Sequence, residues 1–256
     1  MTMDAALAAL GVRDDTLSPN EKVFLDEHGY LPLEGIFADQ VEALGARLVE
    51  IAEEEGERAG WELRAREGTG RVRFRKDPGA VRLGDLVNKD PVFAVCLRIP
   101  ACLPPWRTSS GEISSSPRST VALPCPATAS NPCTWIGAYH VCNSLWLIDE
   151  FTEANGATRV VPGSHRTGRL PEDDGADPSA SHPDEVLLLG RAGTVVIFNA
   201  HTWHGGTRNR TDQPRRAVHA YFCRRGGTPQ TDQRRYARPE TYARLNDAAK
   251  FILDIL

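Results

Sequence analysis

The segment FNAHTWHGGTRNRTDQPRRAVHAYF, residues 198–222, combines residue types and spacing that could do chemistry. An apolar run ends near Phe198, His201 and His204 follow it, and a turn-rich stretch then leads to a second run from Arg215. A histidine at one strand end and an arginine on the next strand can point into the same barrel mouth. There the imidazole could bind a metal ion and the guanidinium could hold a carboxylate. The alternative is a surface hairpin in which these side chains have no chemical role.

The elements that must position these residues are predicted to be short strands. From Tyr139 onward, short apolar runs alternate with Gly, Pro, Asn and Asp, which favours a β-sandwich or barrel over residues 139–225. The runs are YHVCNSLWLID, TRVVPGSH, EVLLLGRAGTVVIFN and RRAVHAYFCRR. Residues 226–256 return to a helical pattern and form a C-terminal extension. The chain is therefore predicted to be mainly β with flanking helices.

Residues 18–60 are predicted to add a strand and helices to this core. Ser18 suits the N-cap of a helix, and a short strand is expected over residues 30–33. The next segment has apolar residues at helical spacing and predicts a helix packed on a larger body. These residues are Val41, Leu44, Leu48 and Ile51.

Composition limits the class of protein. The 256 residues suit a single domain, and 41% hydrophobic with 25% charged residues is a normal globular balance. A net charge of -4 without a basic block gives no reason to expect nucleic acid as a partner. No apolar run approaches the length of a membrane span, and the start MTMDAALAALGVRDD does not resemble a secretory signal. Six cysteines without CxxC spacing favour a reducing, cytoplasmic location.

The stretch from about residue 100 to 138 differs from the rest of the chain. Within it, residues 104–133 include seven serines and six prolines, which is typical of a flexible linker or loop. A structureless loop of that length inside a compact domain is unusual.

Beyond that stretch, the sequence resembles the phytanoyl-CoA dioxygenase family. WLIDEFTEANGATRVVPGSHR and GTVVIFNAHTWHGGTRNRTDQPRR carry the resemblance, and FLDEHGYLPLEGIF and the C-terminal segment also fit it. The resemblance implies a double-stranded β-helix, the jelly-roll or cupin-like fold, in one domain over residues 1–256. It also implies a non-haem Fe(II) enzyme that uses 2-oxoglutarate and O2 on a small molecule.

The family's iron is held by two histidines and one carboxylate. By resemblance, His204 matches the distal histidine, and Asn209 follows five positions later as in the family. Arg215 matches the arginine that pairs with the 2-oxoglutarate carboxylate, and Arg216 is the second choice. His201, His165 and His219 receive no role, since structural or surface positions are expected for them.

The first histidine and the carboxylate of the family form an HxD motif that should precede YHVCNSLW. None is found there, and the chain is interpreted as containing no HxD or HxE motif at all. It is expected near residues Cys133 to Trp135, while His140 has Cys142 two positions on instead of an acid. Neither Asp149 nor Glu150 can be assigned as a ligand.

A shift of reading frame would restore the motif. NPCTWIG can be encoded AAC CCC TGC ACG TGG ATT GGG, and reading from the third base gives Pro-Leu-His-Val-Asp-Trp. The aspartate is forced, because the single Trp codon, TGG, ends in G and every Ile codon begins with AT. Together these bases give GAT, a codon for Asp. We hypothesise a double frameshift, with the frame lost near residues 99–104 and regained near 137–139. A genuine insert in a degenerate enzyme is the competing explanation.

Two functions follow. The intended protein is an Fe(II)/2-oxoglutarate dioxygenase that hydroxylates a C–H bond, whereas the chain as written is a pseudoenzyme or a carboxylate-binding module built on Arg215. No feature selects a substrate or an oligomeric state. Arg159 either faces the active site and touches an acidic substrate or lies on a strand surface, and we favour the surface slightly.

Overall fold

Two antiparallel sheets form the body of the protein. The computed structural model describes residues 1–13, 15–62, 80–98, 113–122, 141–175, 177, 180–224 and 229–256. Within these ranges the strands are β1 (Tyr30–Leu33), β2 (Ala80–Leu83), β3 (Ile113–Ala122), β4 (Val141–Leu147), β5 (Thr158–Val160), β6 (Val186–Leu187), β7 (Val195–Asn199), β8 (His204–Gly206) and β9 (Arg215–Arg224). The large sheet has the order β1-β7-β4-β9-β3-β2, and the small sheet has the order β6-β5-β8.

The large sheet has one face toward the small sheet and one toward helices, because alternate residues of a strand point to opposite sides. On β4, Leu145 and Leu147 join a buried cluster that also contains Val160 of the small sheet. Cys142 and Trp146 of β4 join a second cluster with residues of the helices. We call the first side the inner face and the second the outer face. This is the predicted jelly-roll architecture, mainly β with flanking helices.

In the described part of the chain, the flanking helices are α1 (Met3–Ala9), α2 (Pro19–His28), α3 (Val41–Glu55) and four short ones, Leu86–Lys89, Gln233–Tyr236, Pro239–Arg244 and Asp247–Ile252. Short 3-10 turns cover Gly56–Arg58, Pro91–Arg98, Ser164–Arg166 and Pro171–Asp174.

The predictions for residues 18–60 are confirmed. Ser18 and Glu21 form a capping box that opens α2, and β1 occupies residues 30–33. In α3, Leu44, Leu48 and Ile51 are buried against the outer face, as their helical spacing predicted.

The expectation of a loop throughout residues 104–133 is wrong for its middle part. Residues 113–122 form β3, which pairs along its length with β9 and at one end with β2. The ladder is made by main-chain groups, which a serine-rich segment supplies as well as any other. Pro117 nevertheless lies opposite Ala220 inside this sheet, although proline has no N–H to donate. Residues 99–112 and 123–140 lie outside the described part of the chain.

Among the described helices, none has the length and apolar character required to cross a lipid bilayer.

Candidate functional site

His204 lies on the inner face of the small sheet. It opens β8 and pairs with Val160 of β5, which belongs to the inner cluster. The side chain is buried, and Nδ1 lies 2.7 Å from the carbonyl oxygen of Thr202. Because a carbonyl can only accept, Nδ1 carries the proton and Nε2 keeps its lone pair. The ring also packs edge-on against Phe198, with centroids 4.9 Å apart. Such a fixed tautomer is what a metal-ligating histidine requires.

Arg215 lies on the same inner side, at the first position of β9. Ala217, two residues on and therefore on the same face, belongs to the inner cluster. The guanidinium carbon lies 4.2 Å from the centroid of the Phe151 ring. Among the described residues no group forms a hydrogen bond with its buried Nε. Burial lowers the pKa of Arg215 to about 10, and the charge of Asp149 offsets part of that effect.

Arg216 points to the opposite face, where its guanidinium forms an ion pair and hydrogen bonds. Its Nη2 and Nε lie 2.6 and 3.0 Å from the two carboxylate oxygens of Asp149, and Nη1 donates to the Gly45 carbonyl of α3. The Asp149 hydrogen bond raises the pKa of Arg216. Asp149 is thus an ion-pair partner on the outer side, and Glu150 is exposed.

The turn between β8 and β9 is organised by Asn209. Its Nδ2 donates to the Gln213 carbonyl at 2.8 Å, and its Oδ1 accepts from the Thr211 amide at 3.0 Å and the Thr211 hydroxyl at 2.7 Å. Asn209 is itself buried. These bonds fix the chain between His204 and Arg215 and so set where the two side chains enter the inner face.

The ANG sequence before β5 supports this turn from the other side. Asn155 forms a bridge with Asn209, and Gly156 has a φ of +85°. A Cβ on Gly156 would meet the Asn209 amide nitrogen and the Thr207 carbonyl oxygen, each at 2.9 Å. Glycine is required here both by the left-handed backbone and by the close approach of the neighbouring chain.

The remaining histidines near the site differ in position. His165 contacts the Asp26 carbonyl, with Nε2 to oxygen at 3.0 Å, and His201 is buried in the turn after β7. His219 is four residues after Arg215 on β9, so the two side chains point to the same inner face. Its ring packs edge-on against Phe198, with centroids 5.7 Å apart. His219 was assigned no role from the sequence. Its even spacing from Arg215 on one strand was enough to predict that it lies on the inner face.

Arg159 occupies neither of the two positions expected for it. Arg159 and Val160 are consecutive residues of β5, so their side chains point to opposite faces of the sheet. Because Val160 is on the inner face, Arg159 points away from it. It is 1% exposed, and its Nη1 donates to the Ala180 carbonyl at 2.7 Å and to Glu185 at 3.1 Å. The segment around residues 180–185 therefore covers the outside of the small sheet and buries this ion pair.

The missing part of the site falls on residues that the structure does not describe, including Cys133, Trp135 and His140. The HxD spacing does occur once elsewhere, at His182–Asp184, which the sequence reading overlooked. His182 packs against Trp203, with ring centroids 6.0 Å apart. Trp203 directly precedes His204, so the two side chains point to opposite sides of the small sheet. This pair thus lies outside the small sheet, away from His204. Within the described residues, no group of three His, Cys, Asp or Glu side chains could hold a metal ion.

Comparison with known proteins finds a family model that matches part of the chain. Residues 124–217 match the family model described as phytanoyl-CoA dioxygenase (PhyH). This match covers less than half of the chain, and over that part the chain is similar to the phytanoyl-CoA dioxygenase family. The match contains His204, Asn209 and Arg215, and it begins inside the stretch 100–138.

Two curated relatives of this chain are named as dioxygenases. The chain is 39% identical to dioxygenase trt7 of Aspergillus terreus over 74 residues, which are 29% of this chain and 24% of that protein. It is 26% identical to dioxygenase af480 of Aspergillus fumigatus over 230 residues, 82% of this chain and 69% of that protein. The chain thus spans about a quarter of the length of the first of these relatives.

The fold is shared with HygX from Streptomyces hygroscopicus, whose crystal structure holds nickel and 2-oxoglutarate. The TM-score is 0.57 at 16% identity, over 81% of this chain and 87% of HygX. This similarity concerns the fold.

Proposed function

We propose that the gene for this chain encodes a non-haem Fe(II)/2-oxoglutarate-dependent dioxygenase that hydroxylates a C–H bond of a small molecule. One observation carries the proposal: Arg215 is a buried cation whose Nε lacks a hydrogen-bond partner among the described residues, on the same inner side as the oriented His204. A buried charge without a partner is costly, so such a group is expected where an anion binds.

The chemistry of Arg215 fits the distal carboxylate of 2-oxoglutarate. A planar guanidinium can donate two parallel hydrogen bonds to a carboxylate, and burial strengthens them. Phe151 holds the guanidinium from one side, so the donors have a fixed direction. Arg216 fits this role less well, because Asp149 already occupies its donors. Bound iron and 2-oxoglutarate would supply the oxidising chemistry, and the protein supplies orientation and an apolar surrounding.

The residues of the chain as written do not fit the iron. His204 offers one ligand, and among the described residues no group of three His, Cys, Asp or Glu side chains is placed to hold a metal ion. At the expected positions Cys133 to Trp135 the sequence has no acid. A thiolate is a softer ligand and would not replace the missing carboxylate of an oxygen-rich facial site.

We propose that a double frameshift explains this conflict. The alternative frame supplies Leu-His-Val-Asp-Trp at the position where the family needs its HxD pair. Pro117 gives no second sign, because among the described residues β2 pairs only with residues 119–122, and Pro117 therefore lies where β3 pairs with β9 alone. The frameshift proposal therefore rests on the hidden motif and on the composition of residues 104–133.

A second function is favoured by the missing carboxylate. The chain as written would be a pseudoenzyme, or a jelly-roll that binds 2-oxoglutarate or another carboxylate at Arg215 without catalysis.

A cytoplasmic location is also proposed, since Cys96 and Cys142 are buried thiols.

Resequencing the source DNA across codons 95 to 142 separates the two functions. Two compensating insertions or deletions are expected, and they would establish the oxygenase. An unchanged sequence would leave the carboxylate-binding module. For that case, 2-oxoglutarate-dependent oxygen uptake with one equivalent of Fe(II) on the chain as written would show that the iron site is present after all.

A further inference from the structure

Asn143 is a buried polar side chain that the proposed site does not use. It is 1% exposed, and its Nδ2 has no hydrogen-bond partner among the described residues. It lies on β4 two residues before Leu145, so it shares the inner face with that residue. Its carboxamide therefore enters the space between the two sheets.

The residues paired with Asn143 have aromatic side chains. Asn143 pairs with Phe198 on β7 and with Tyr221 on β9, and paired residues of an antiparallel ladder share a face. Phe198 in turn contacts the rings of His204 and His219. Asn143 thus stands beside the level of the barrel where His204 is held.

Arg215 lies too far away to share a small ligand with Asn143. Tyr221, the partner of Asn143, is six residues after Arg215 on β9, which corresponds to roughly 20 Å along an extended strand. A five-carbon dicarboxylic acid anchored at Arg215 is much shorter than that distance. The end of 2-oxoglutarate that lies away from Arg215 would be taken up by the metal held at His204, so the Asn143 amide is left for a different molecule.

We infer that the Asn143 carboxamide donates a hydrogen bond to a neutral oxygen of the substrate, such as a carbonyl, ether or hydroxyl oxygen. An unsatisfied buried amide is unfavourable, and a bound acceptor would remove that penalty. A substrate without the acceptor would leave the amide unpaired, so Asn143 selects for oxygenated substrates. This role rests on the proposed function, because it requires a substrate in the same barrel.

Thermal stability gives the first test. Replacing Asn143 with Leu removes an unsatisfied group and keeps the branched shape and the number of heavy atoms, so Tm of the ligand-free chain should rise by about 2–4 °C. The matched control is Asn209→Leu, since Asn209 is also buried but its amide is satisfied; its Tm should fall. A fall for Asn143→Leu would mean a structural partner and would overturn the inference.

A titration of the ¹⁵N-labelled full chain, followed by NMR, gives the second test. The probes are 2-oxoglutarate and, separately, cyclohexanone, a compact ketone whose polar atom is an acceptor. The side-chain signals of Asn143 and Arg215 are assigned by their loss in Asn143→Leu and Arg215→Met. Cyclohexanone should shift the Asn143 amide, and 2-oxoglutarate should shift the Arg215 Nε–H.

The outcomes separate the two ideas. An Asn143 signal that moves with 2-oxoglutarate, or that stays in place with cyclohexanone, overturns the substrate contact. An Arg215 signal unmoved by 2-oxoglutarate instead contradicts the proposed function and leaves the Asn143 result to be read by itself.

Discussion

Two adjacent arginines show how strand alternation assigns a role at the scale of a residue. Arg215 and Arg216 follow each other on β9, yet one points to the inner face and the other to Asp149. Arg215→Met should weaken 2-oxoglutarate binding by roughly 10- to 100-fold, since charge-assisted hydrogen bonds are each worth about 1.5–3 kcal/mol. Isothermal titration calorimetry measures the change.

Arg216→Met is the matched control. It should leave 2-oxoglutarate affinity within about threefold, but it should lower the free energy of unfolding by about 1–3 kcal/mol because Asp149 loses its partner. The opposite pattern, with binding lost in Arg216→Met alone, would exchange the roles of the two residues.

Asn209 illustrates a different use of a single side chain, the control of a turn. Asn209→Ala removes three hydrogen bonds at the connection between His204 and Arg215. At about 1 kcal/mol each, the free energy of unfolding should fall by about 2–3 kcal/mol. Gln213→Ala serves as control, because Gln213 contributes its main-chain carbonyl to the turn. Equal denaturant midpoints for the two variants would show that Asn209 does not organise the turn.

At the scale of elements, the junction of α2, β1 and β7 depends on one glycine. Gly29 ends α2 with a φ of +79°, and a Cβ there would lie 2.4 Å from both His165 Nδ1 and Thr202 Oγ1. Gly29→Ala should therefore cost about 1–2 kcal/mol for the backbone and a further 1–3 kcal/mol, roughly, for overpacking. Gly35, with a φ of +69° and open space around it, isolates the first contribution. Chemical denaturation of both alanine variants measures the difference, and equal losses would refute the close contact.

The same junction makes stability depend on pH through His165. Burial lowers the pKa of His165, and the Asp26 carbonyl opposes this effect. The unfolded chain then binds the proton more readily, so stability should decrease once the pH falls below the unfolded value of about 6.5. Denaturation curves between pH 8 and 5 should show a smaller decrease for His165→Gln than for the parent chain. His182→Gln, at a separate surface, should keep the parental decrease, and a His165→Gln curve parallel to the parent would contradict the assignment.

Much of this arrangement could be predicted from the sequence, for identifiable physical reasons. The Ser18 cap, the apolar spacing of α3 and the short apolar runs after residue 139 are local signals, and each corresponds to an element of the structure. Strand pairing is not local, so β3 was not expected in a serine-rich segment. The burial of Arg159 depends on Glu185, which is 26 residues away, and no spacing rule connects the two.

At the scale of the whole molecule, the described part of the inner face carries His204 and Arg215, whereas the residues expected to hold the HxD pair lie outside the described part of the chain. β8 and β9 bring His204 and Arg215 inward, and the large sheet closes around them. In the sequence, the HxD pair is expected just before β4. A chain without it keeps the anion anchor but loses the carboxylate, so ligand binding and catalysis should separate.

Restoring the frame tests that separation directly. A chain carrying Leu-His-Val-Asp-Trp in place of the present reading should bind one equivalent of Fe(II) and consume oxygen with 2-oxoglutarate, since it regains all three facial ligands. The chain as written should bind well below one equivalent and express less solubly, because residues 100–138 lack the alternating pattern of buried strands. Anaerobic Fe(II) titration of both chains, each with an Arg215→Met version, distinguishes metal from anion binding. Equal iron occupancy in the two parent chains would show that the HxD pair is not what this fold lacks.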